Sequence, residues 1–151
     1  MEIERKFTVK ELPNLEEYSF HVITQAYLNR DPVMRIRRQD EDYYFTYKSK
    51  GLLAREEYNL PLNKESFDNL LPKAEGRIIS KKRYLIPYEK YTIELDIFEG
   101  DLADFEGSGK PLIIAEVEFE SIEEAHAFVP PAWFDEDVTE NTKYHNSNLS
   151  R

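Results

Sequence analysis

Pairs of like-charged side chains, spaced two residues apart, recur along this sequence. The acidic pairs are Glu2/Glu4, Glu94/Asp96 and Glu116/Glu118, and the basic pairs are Arg35/Arg37, Lys48/Lys50 and Lys81/Arg83. Carboxylate oxygens are the ligands that hard cations such as Mg²⁺ and Mn²⁺ prefer. Guanidinium groups bind phosphate through two parallel hydrogen bonds, and ammonium groups bind it as point charges. The two kinds of pair together predict a site for a metal–polyphosphate complex.

Alternation of apolar and charged residues surrounds these pairs and predicts β-strands. We expect strands near residues 2–9, 19–29, 33–39, 42–50, 54–60, 77–86, 90–98 and 112–120. Because residues i and i+2 of a strand share a face, each charged pair lies on one face and the apolar residues lie on the other. A charged strand face most often meets water. Here, however, the faces are sorted by the sign of the charge, which favours a shared interior site.

A closed, eight-stranded antiparallel β-barrel would bring the charged faces together. Eight strands enclose a lumen about one small ligand wide, and a few short helices would lie outside the barrel and at one mouth. The predicted fold is therefore α+β and mainly β, with an interior that is a site and not a core. Each unpaired buried ion costs several kcal/mol, so water, metal ions and a polyanion must offset the burial of these charges. The interior charges would be Lys6, Arg35, Arg37, Lys48, Lys50, Arg55, Lys81 and Arg83, with Glu2, Glu4, Glu57, Glu94, Asp96, Glu116 and Glu118.

Capping signals predict three helices. Asn63 is typical of an N-cap and predicts a helix over 64–72. Ser121 and Glu124 have capping-box spacing and predict a helix through Phe128. Thr139 could cap a last helix through about Leu149. No linker or internal repeat divides the sequence, so we expect one domain over residues 1–151.

Composition excludes several classes of site and partner. The 151 residues carry a net charge of −10 and contain no cysteine, which excludes thiolate metal sites and disulfides. The three histidines lack zinc-ligand spacing, and no glycine-rich phosphate loop is present. The acidic balance argues against long nucleic acid and anionic membranes as partners. With no apolar run of membrane-spanning length and no signal peptide, the expected location is cytoplasmic.

The pairs also occur in a recognisable order. Glu2-Ile-Glu4-Arg-Lys6 resembles the ExExK signature of the CYTH superfamily, the triphosphate tunnel metalloenzymes. The later motifs resemble that family's strands in sequence order, and the C-terminal segment resembles its closing segment. The later motifs are Arg35-Ile-Arg37, Lys48-Ser-Lys50, Arg55-Glu-Glu57, Lys81-Lys-Arg83, Glu94-Leu-Asp96 and Glu116-Val-Glu118, followed by Val138-Thr139, Lys143-Tyr144 and Asn146 through Leu149.

The resemblance implies a tunnel of eight antiparallel strands that binds a triphosphate with Mg²⁺ or Mn²⁺. If the family's roles apply at the matching positions, the metal ligands are Glu2, Glu4, Glu116 and Glu118. Glu94 and Asp96 would be either further ligands or groups that position the basic residues. The phosphate-binding residues are Lys6, Arg35, Arg37, Lys48, Lys50, Arg55, Lys81 and Arg83, together with Lys143 at one tunnel mouth. Glu4, Glu118 and Lys6 would be the catalytic residues, and either a second metal or a carboxylate such as Glu4 or Glu118 would activate water. Asn59 and Glu140-Asn141 depart from the family pattern at one end of the tunnel.

Three functions remain open at this point. The first is metal-dependent hydrolysis of inorganic tripolyphosphate or of a nucleoside or thiamine triphosphate. The second is adenylate cyclase activity, in which a ribose hydroxyl replaces water as the nucleophile. The third is a non-catalytic module that binds polyphosphate or nucleotide. The full set of carboxylates favours an enzyme, because binding phosphate alone requires only cations.

Overall fold

Antiparallel β-strands are the main secondary structure of the computed structural model, which describes all 151 residues. The three α-helices are short, so the mainly β class predicted from the sequence is confirmed. The strands are β1 (Glu2–Val9), β2 (Phe20–Arg30), β3 (Val33–Gln39), β4 (Asp42–Lys48), β5 (Ala54–Arg55), β6 (Glu57–Leu62), β7 (Glu75–Tyr88), β8 (Tyr91–Phe98), β9 (Ile113–Glu118) and β10 (Phe134–Asp137). The helices are α1 (Lys64–Leu70), α2 (Ile122–Ala127) and α3 (Asn146–Leu149), and 3-10 turns span Leu71–Lys73, Gly100–Ala103, Phe105–Gly107 and Thr142–Tyr144.

The strands form a ring. Their order is β1-β9-β8-β7-β2-β3-β4-β6, and each neighbouring pair is antiparallel. The ring closes where β5 pairs with the start of β1, through Arg55 opposite Glu2 and Ala54 opposite Ile3. Only Glu56 separates β5 from β6, so the two act as one bent strand of an eight-membered ring. The sequence did not indicate β10, which pairs with the far end of β1.

The apolar faces of the strands point outward and are covered in two places. On one side, Ala125 of α2 packs with Phe128 and Phe134 against Phe7 of β1. On another, Phe67 of α1 packs over Ala26 and Ile36. This arrangement puts the alternating charged residues of the same strands inside the ring.

The first two helix predictions are confirmed at their caps. The Asn63 side chain accepts a hydrogen bond from the Ser66 backbone N–H, and the Ser121 side chain accepts one from Glu124 N–H. The predicted last helix is instead a 3-10 turn, capped by Asn141, followed by α3. Thr139 does not cap it, because its hydroxyl accepts a hydrogen bond from the Lys6 backbone N–H at 3.0 Å. No helix in the structure combines the length and apolar character needed to cross a membrane.

One end of the ring interior is hydrophobic, which differs from the expectation of a charged lumen throughout. Tyr27, Ile79, Phe98 and Ile114 point into this end and pack around Leu149 of α3. They occupy inward positions of β2, β7, β8 and β9, and on β7, β8 and β9 each lies next to the charged pair of its strand. The interior therefore divides into a small hydrophobic core and a charged cavity.

Candidate active site

The charged inward faces enclose a cavity with almost entirely polar walls. Among its lining residues only Tyr27 and Val33 are hydrophobic. The strand registers bring the charges together, since Glu4 lies opposite Glu118 and Lys6 lies opposite Glu116. The predicted site residues that line the cavity are Glu2, Glu4, Lys6, Arg35, Arg37, Lys48, Arg55, Arg83, Glu94, Glu116 and Glu118.

Arg35 and Arg37 of β3 form a basic wall that makes no salt bridge with a carboxylate. Arg37 donates from Nε and Nη2 to Gln25 Oε1, at 3.0 and 2.7 Å. Arg35 makes one long contact, from Nη2 to Thr46 Oγ1 at 3.4 Å, and its buried Nε has no partner. Burial and the positive charges of Arg35 and Arg83 lower the pKa of Arg37. This wall is suited to an anion, because an anion would supply both the missing acceptors and the missing charge.

Lys48 and Arg55 lie at the closure of the ring and are held by acidic residues. The Lys48 ammonium is 3.0 Å from Glu2 Oε1 and 3.0 Å from Glu57 Oε2. Arg55 Nε lies 3.4 Å from Glu2 Oε1. These contacts fix both cations at the cavity wall and occupy the three ammonium donors of Lys48, whereas the Arg55 guanidinium keeps donors available to a ligand.

Lys6 lies between two carboxylates at longer distances. Its Nζ is 3.8 Å from Glu4 Oε1 and 3.7 Å from Glu116 Oε1. Burial disfavours the ammonium, but Glu116 and Glu4 outweigh burial and raise the pKa of Lys6. Lys6 is therefore a charged group that is loosely held and faces the cavity. Glu116 also lies 3.4 Å from Arg83, so both its neighbours are cations.

Arg83, Asp96 and Lys81 form a network beneath the cavity wall. Arg83 donates to both Asp96 oxygens, at 2.8 and 2.9 Å, and to Glu94 at 3.1 Å. Lys81 Nζ is 2.7 Å from Asp96 Oδ2, and neither side chain is exposed. That contact lacks hydrogen-bond geometry, so it is an ion pair without a directed hydrogen bond. Burial lowers the pKa of Lys81 to about 7, although Asp96 acts in the opposite direction.

The network bears on two predicted roles. Asp96 was expected either as a metal ligand or as a group that positions the basic residues, and its two oxygens engage Arg83 and Lys81, as the second role requires. Lys81 was expected to bind phosphate, yet it does not line the cavity. Both residues lie behind the wall that Arg83 presents.

Three carboxylates converge at the other side of the cavity. Glu2, Glu4 and Glu118 each offer an oxygen, and these atoms lie within 4.8 Å of one another. Burial and the charge of Glu4 raise the pKa of Glu2 to about 7. Burial and the charges of Glu94 and Glu4 raise the pKa of Glu118 to about 7. A cation would relieve this repulsion, and a donor set made only of oxygen fits Mg²⁺ or Mn²⁺.

The structure places Lys50 and Lys143 outside the cavity, which corrects their predicted position among the phosphate-binding residues. β4 ends at Lys48, so the alternation stops and the Lys50 side chain is 84% exposed, 3.4 Å from Asp31. Lys143 lies in the 3-10 turn before α3, and its Nζ is 2.5 Å from Glu106 Oε1 on the outside. Neither side chain is placed to contact a ligand in the cavity.

The sequence analysis missed several residues that line the cavity, because they do not belong to a pair of like-charged residues. Tyr27 comes from β2, whose inward positions mix apolar and amide side chains, while Asn146 and Ser147 come from the C-terminal segment. Asn59, which departs from the family pattern, also lines the cavity. It accepts a hydrogen bond from Thr46 Oγ1 at 2.6 Å and donates one to Glu57 at 3.0 Å. A register argument that extended the β3 pairing to β2 would have placed Tyr27 opposite Arg35.

The fold and the cavity define a class of protein, one whose closed antiparallel sheet encloses a charged cavity. The model of the CYTH domain family matches residues 1–150, and the chain belongs to this family.

Relatives of known name cover nearly the whole chain. An inorganic triphosphatase of Nitrosomonas europaea is 40% identical, with 99% of this chain and 96% of the relative aligned. An inorganic triphosphatase of Acetivibrio thermocellus is 31% identical, with 98% of this chain and 92% of the relative aligned. A crystal structure of an inorganic triphosphatase superposes with a TM-score of 0.71 at 38% identity, covering 99% of this chain and 94% of that chain.

Proposed function

We propose that this protein hydrolyses inorganic tripolyphosphate in the charged cavity, with a divalent metal ion. The observation that carries the proposal is the pairing of two opposed walls in one cavity. Arg35 and Arg37 carry positive charge and make no salt bridge with a carboxylate, and Glu2, Glu4 and Glu118 form an oxygen cluster suited to a cation. The full-length similarity to two inorganic triphosphatases supports the same function.

The chain's own residues divide the work of phosphoryl transfer. Arg35, Arg37 and Arg83 bind the phosphate oxygens and stabilise the charge that develops on them. Lys6, loosely held between its carboxylates, binds the phosphate nearest to them. Glu118, the exposed member of the carboxylate cluster, is placed to accept a proton from an attacking water. A metal held by Glu2 and Glu4, beside Glu118, would supply Lewis-acid neutralisation of phosphate charge.

The cavity lining favours inorganic triphosphate over a nucleotide. Only Tyr27 and Val33 are hydrophobic among the lining residues, and both lie at the closed, hydrophobic end with Leu149. A nucleobase normally stacks on an aromatic or apolar surface, and the polar walls offer none beyond these two side chains. The cyclase alternative requires a bound ribose and base, and this lining does not favour it.

A phosphate-release assay tests the proposal. Tripolyphosphate, ATP and thiamine triphosphate are each supplied with Mg²⁺ or Mn²⁺, and then with EDTA. We expect release of orthophosphate from tripolyphosphate with metal and none with EDTA. Cyclic AMP and pyrophosphate from ATP would instead identify a cyclase, and tight binding of tripolyphosphate without turnover would identify a binding module.

A further inference from the structure

The last ten residues close one end of the charged cavity. We name residues 142–151 the C-terminal plug. His145, Asn146 and Ser147 of the plug form part of the cavity lining, and Leu149 is buried in the hydrophobic end of the ring. His145 Nε2 hydrogen-bonds the Thr139 carbonyl at 3.1 Å, which fixes the start of the plug. The plug therefore sets where the cavity ends.

Arg30, at the end of β2, holds the plug in place. Its Nε donates to the Ser147 carbonyl at 3.0 Å, and its Nη2 donates to Ser150 Oγ at 3.1 Å. The same guanidinium is anchored to β7, since Nη1 donates to the Glu75 carboxylate at 2.9 Å and Nη2 to the Glu75 carbonyl at 3.1 Å. Arg30 thus ties a residue of the cavity wall directly to the rigid sheet.

Gly76 completes this latch. Its φ is +73°, and an added Cβ would lie 2.0 Å from the Ser150 carbonyl oxygen and 2.6 Å from Arg30 Nη2. The absence of a side chain lets the plug approach β7 closely enough for Arg77 N–H to donate to the Ser150 carbonyl at 2.5 Å. The fit leaves no space for a larger residue, so a substitution at Gly76 displaces the plug.

A second cavity adjoins the charged cavity at Ser147 of the plug. It is lined by Arg30, Lys48, Lys50 and Arg55, with Asp31 as the acidic residue beside them. It shares Lys48, Arg55, Val33 and Ser147 with the charged cavity. A phosphate chain that extended past Ser147 would therefore meet further cations.

We propose that Arg30 is a specificity-determining positioning residue, which limits the length of phosphate chain by latching the plug where the two cavities adjoin. This inference rests on the proposed function for its substrate class. With the plug latched, a chain directed towards this end meets the Ser147 wall. With the plug released, a fourth phosphate reaches Lys50, the cation of the second cavity that neither lines the first cavity nor belongs to the latch.

The test compares chain lengths in two independent latch variants. Arg30→Ala removes the guanidinium, and Gly76→Ala displaces Ser150 by steric overlap. Arg38→Ala is the matched control, because Arg38 is a partly exposed arginine on the outer face of β3 that pairs with Glu41. For each protein, kcat and KM are measured with tripolyphosphate and with tetrapolyphosphate, and the affinity of the metal-free protein for each is measured by calorimetry.

In both latch variants we expect kcat/KM for tetrapolyphosphate, divided by kcat/KM for tripolyphosphate, to rise about tenfold. The corresponding ratio of affinities should rise equally. Both ratios should stay constant in Arg38→Ala. Amide hydrogen exchange at residues 146–150 should accelerate in the same two variants. An unchanged ratio despite faster exchange would overturn the inference.

If Arg30→Ala fails to fold, Arg30→Lys, which keeps the charge but cannot reach all the acceptors, gives the same comparison. The calorimetric ratio needs no turnover, so a protein that hydrolyses nothing would disprove the proposed function and still test the latch.

Discussion

Glu118 is the residue on which the proposed chemistry depends most. It belongs to the carboxylate cluster with Glu2 and Glu4, and it is the exposed member, open to solvent and to an approaching ligand. We expect Glu118→Gln to reduce kcat by at least about 100-fold, the usual loss when a general base is removed, while the circular dichroism spectrum stays that of the wild type. Glu120→Gln, two residues along on the exposed surface, is the control. Activity near the wild-type value in Glu118→Gln would refute its assignment.

Lys81 makes the unfolding free energy depend on pH. Burial lowers its pKa in the folded state to about 7 from the ordinary value of 10.5, so above pH 7 the unfolded state binds more protons than the folded state. Raising the pH from 7.5 to 9.5 should therefore stabilise the wild type relative to Lys81→Met, by up to about 1.4 kcal/mol per pH unit. Urea denaturation at three pH values measures the difference, with Lys82→Met as the control. Parallel profiles would mean that Lys81 stays charged in the fold.

The spacing of the charged residues predicted which of them line the cavity, except where a strand ends or the interior becomes hydrophobic. Arg35, Arg37 and Arg83 line it because strand alternation holds at those positions. Lys50 shares the spacing of its pair but lies beyond the end of β4, and strand ends are not readable from alternation alone. Lys81 lies on the inward face of β7, but at the height in the ring where the interior changes from the charged cavity to the hydrophobic core.

Helix α1 covers one outward face of the ring, and its cap makes the stability of this cover testable. The Asn63 side chain accepts a hydrogen bond from Ser66 N–H at 2.7 Å, and α1 buries Phe67 against β3. We expect Asn63→Ala to lower the unfolding free energy by about 1 kcal/mol, since one backbone donor loses its partner. Asn63→Ser should restore most of the loss, because serine also caps. Equal denaturation midpoints for Asn63→Ala and the wild type would show that the cap is not needed.

The larger elements were predictable where short-range signals decide them. Alternation located the ring strands, and cap residues located α1 and α2. β10 was missed because Phe134–Asp137 has only four residues, three of them acidic or exposed, and its pairing with β1 is a long-range contact. The C-terminal plug was expected as one helix from Thr139, but Thr139 is engaged by Lys6 instead. Tertiary contacts of this kind leave no periodic mark in the sequence.

The ring as a whole stabilises an interior in which ions replace much of the usual hydrophobic core. Buried residues inside it include Glu4, Lys6, Arg35, Lys48, Lys81, Arg83, Asp96 and Glu116. Salt bridges offset part of their desolvation, and the outward apolar clusters supply the hydrophobic burial. What stays uncompensated is the basic wall of Arg35 and Arg37 and the repulsion within the carboxylate cluster. The excess positive charge of the wall and the excess negative charge of the cluster lie in the same cavity.

A metal–tripolyphosphate complex should therefore raise the melting temperature of the whole protein. A ligand at 100 times its Kd adds about 2.7 kcal/mol to the unfolding free energy, and for a domain of this size that corresponds to a shift of about 5–10 °C. We expect Mg²⁺ and tripolyphosphate together to shift the midpoint more than either alone, because each neutralises the wall that repels the other's charge. Sulfate at matched ionic strength controls for screening, and Glu118→Gln should reduce the gain from metal. If tripolyphosphate and Mg²⁺ stabilise no more than sulfate does, the two walls do not act as one site.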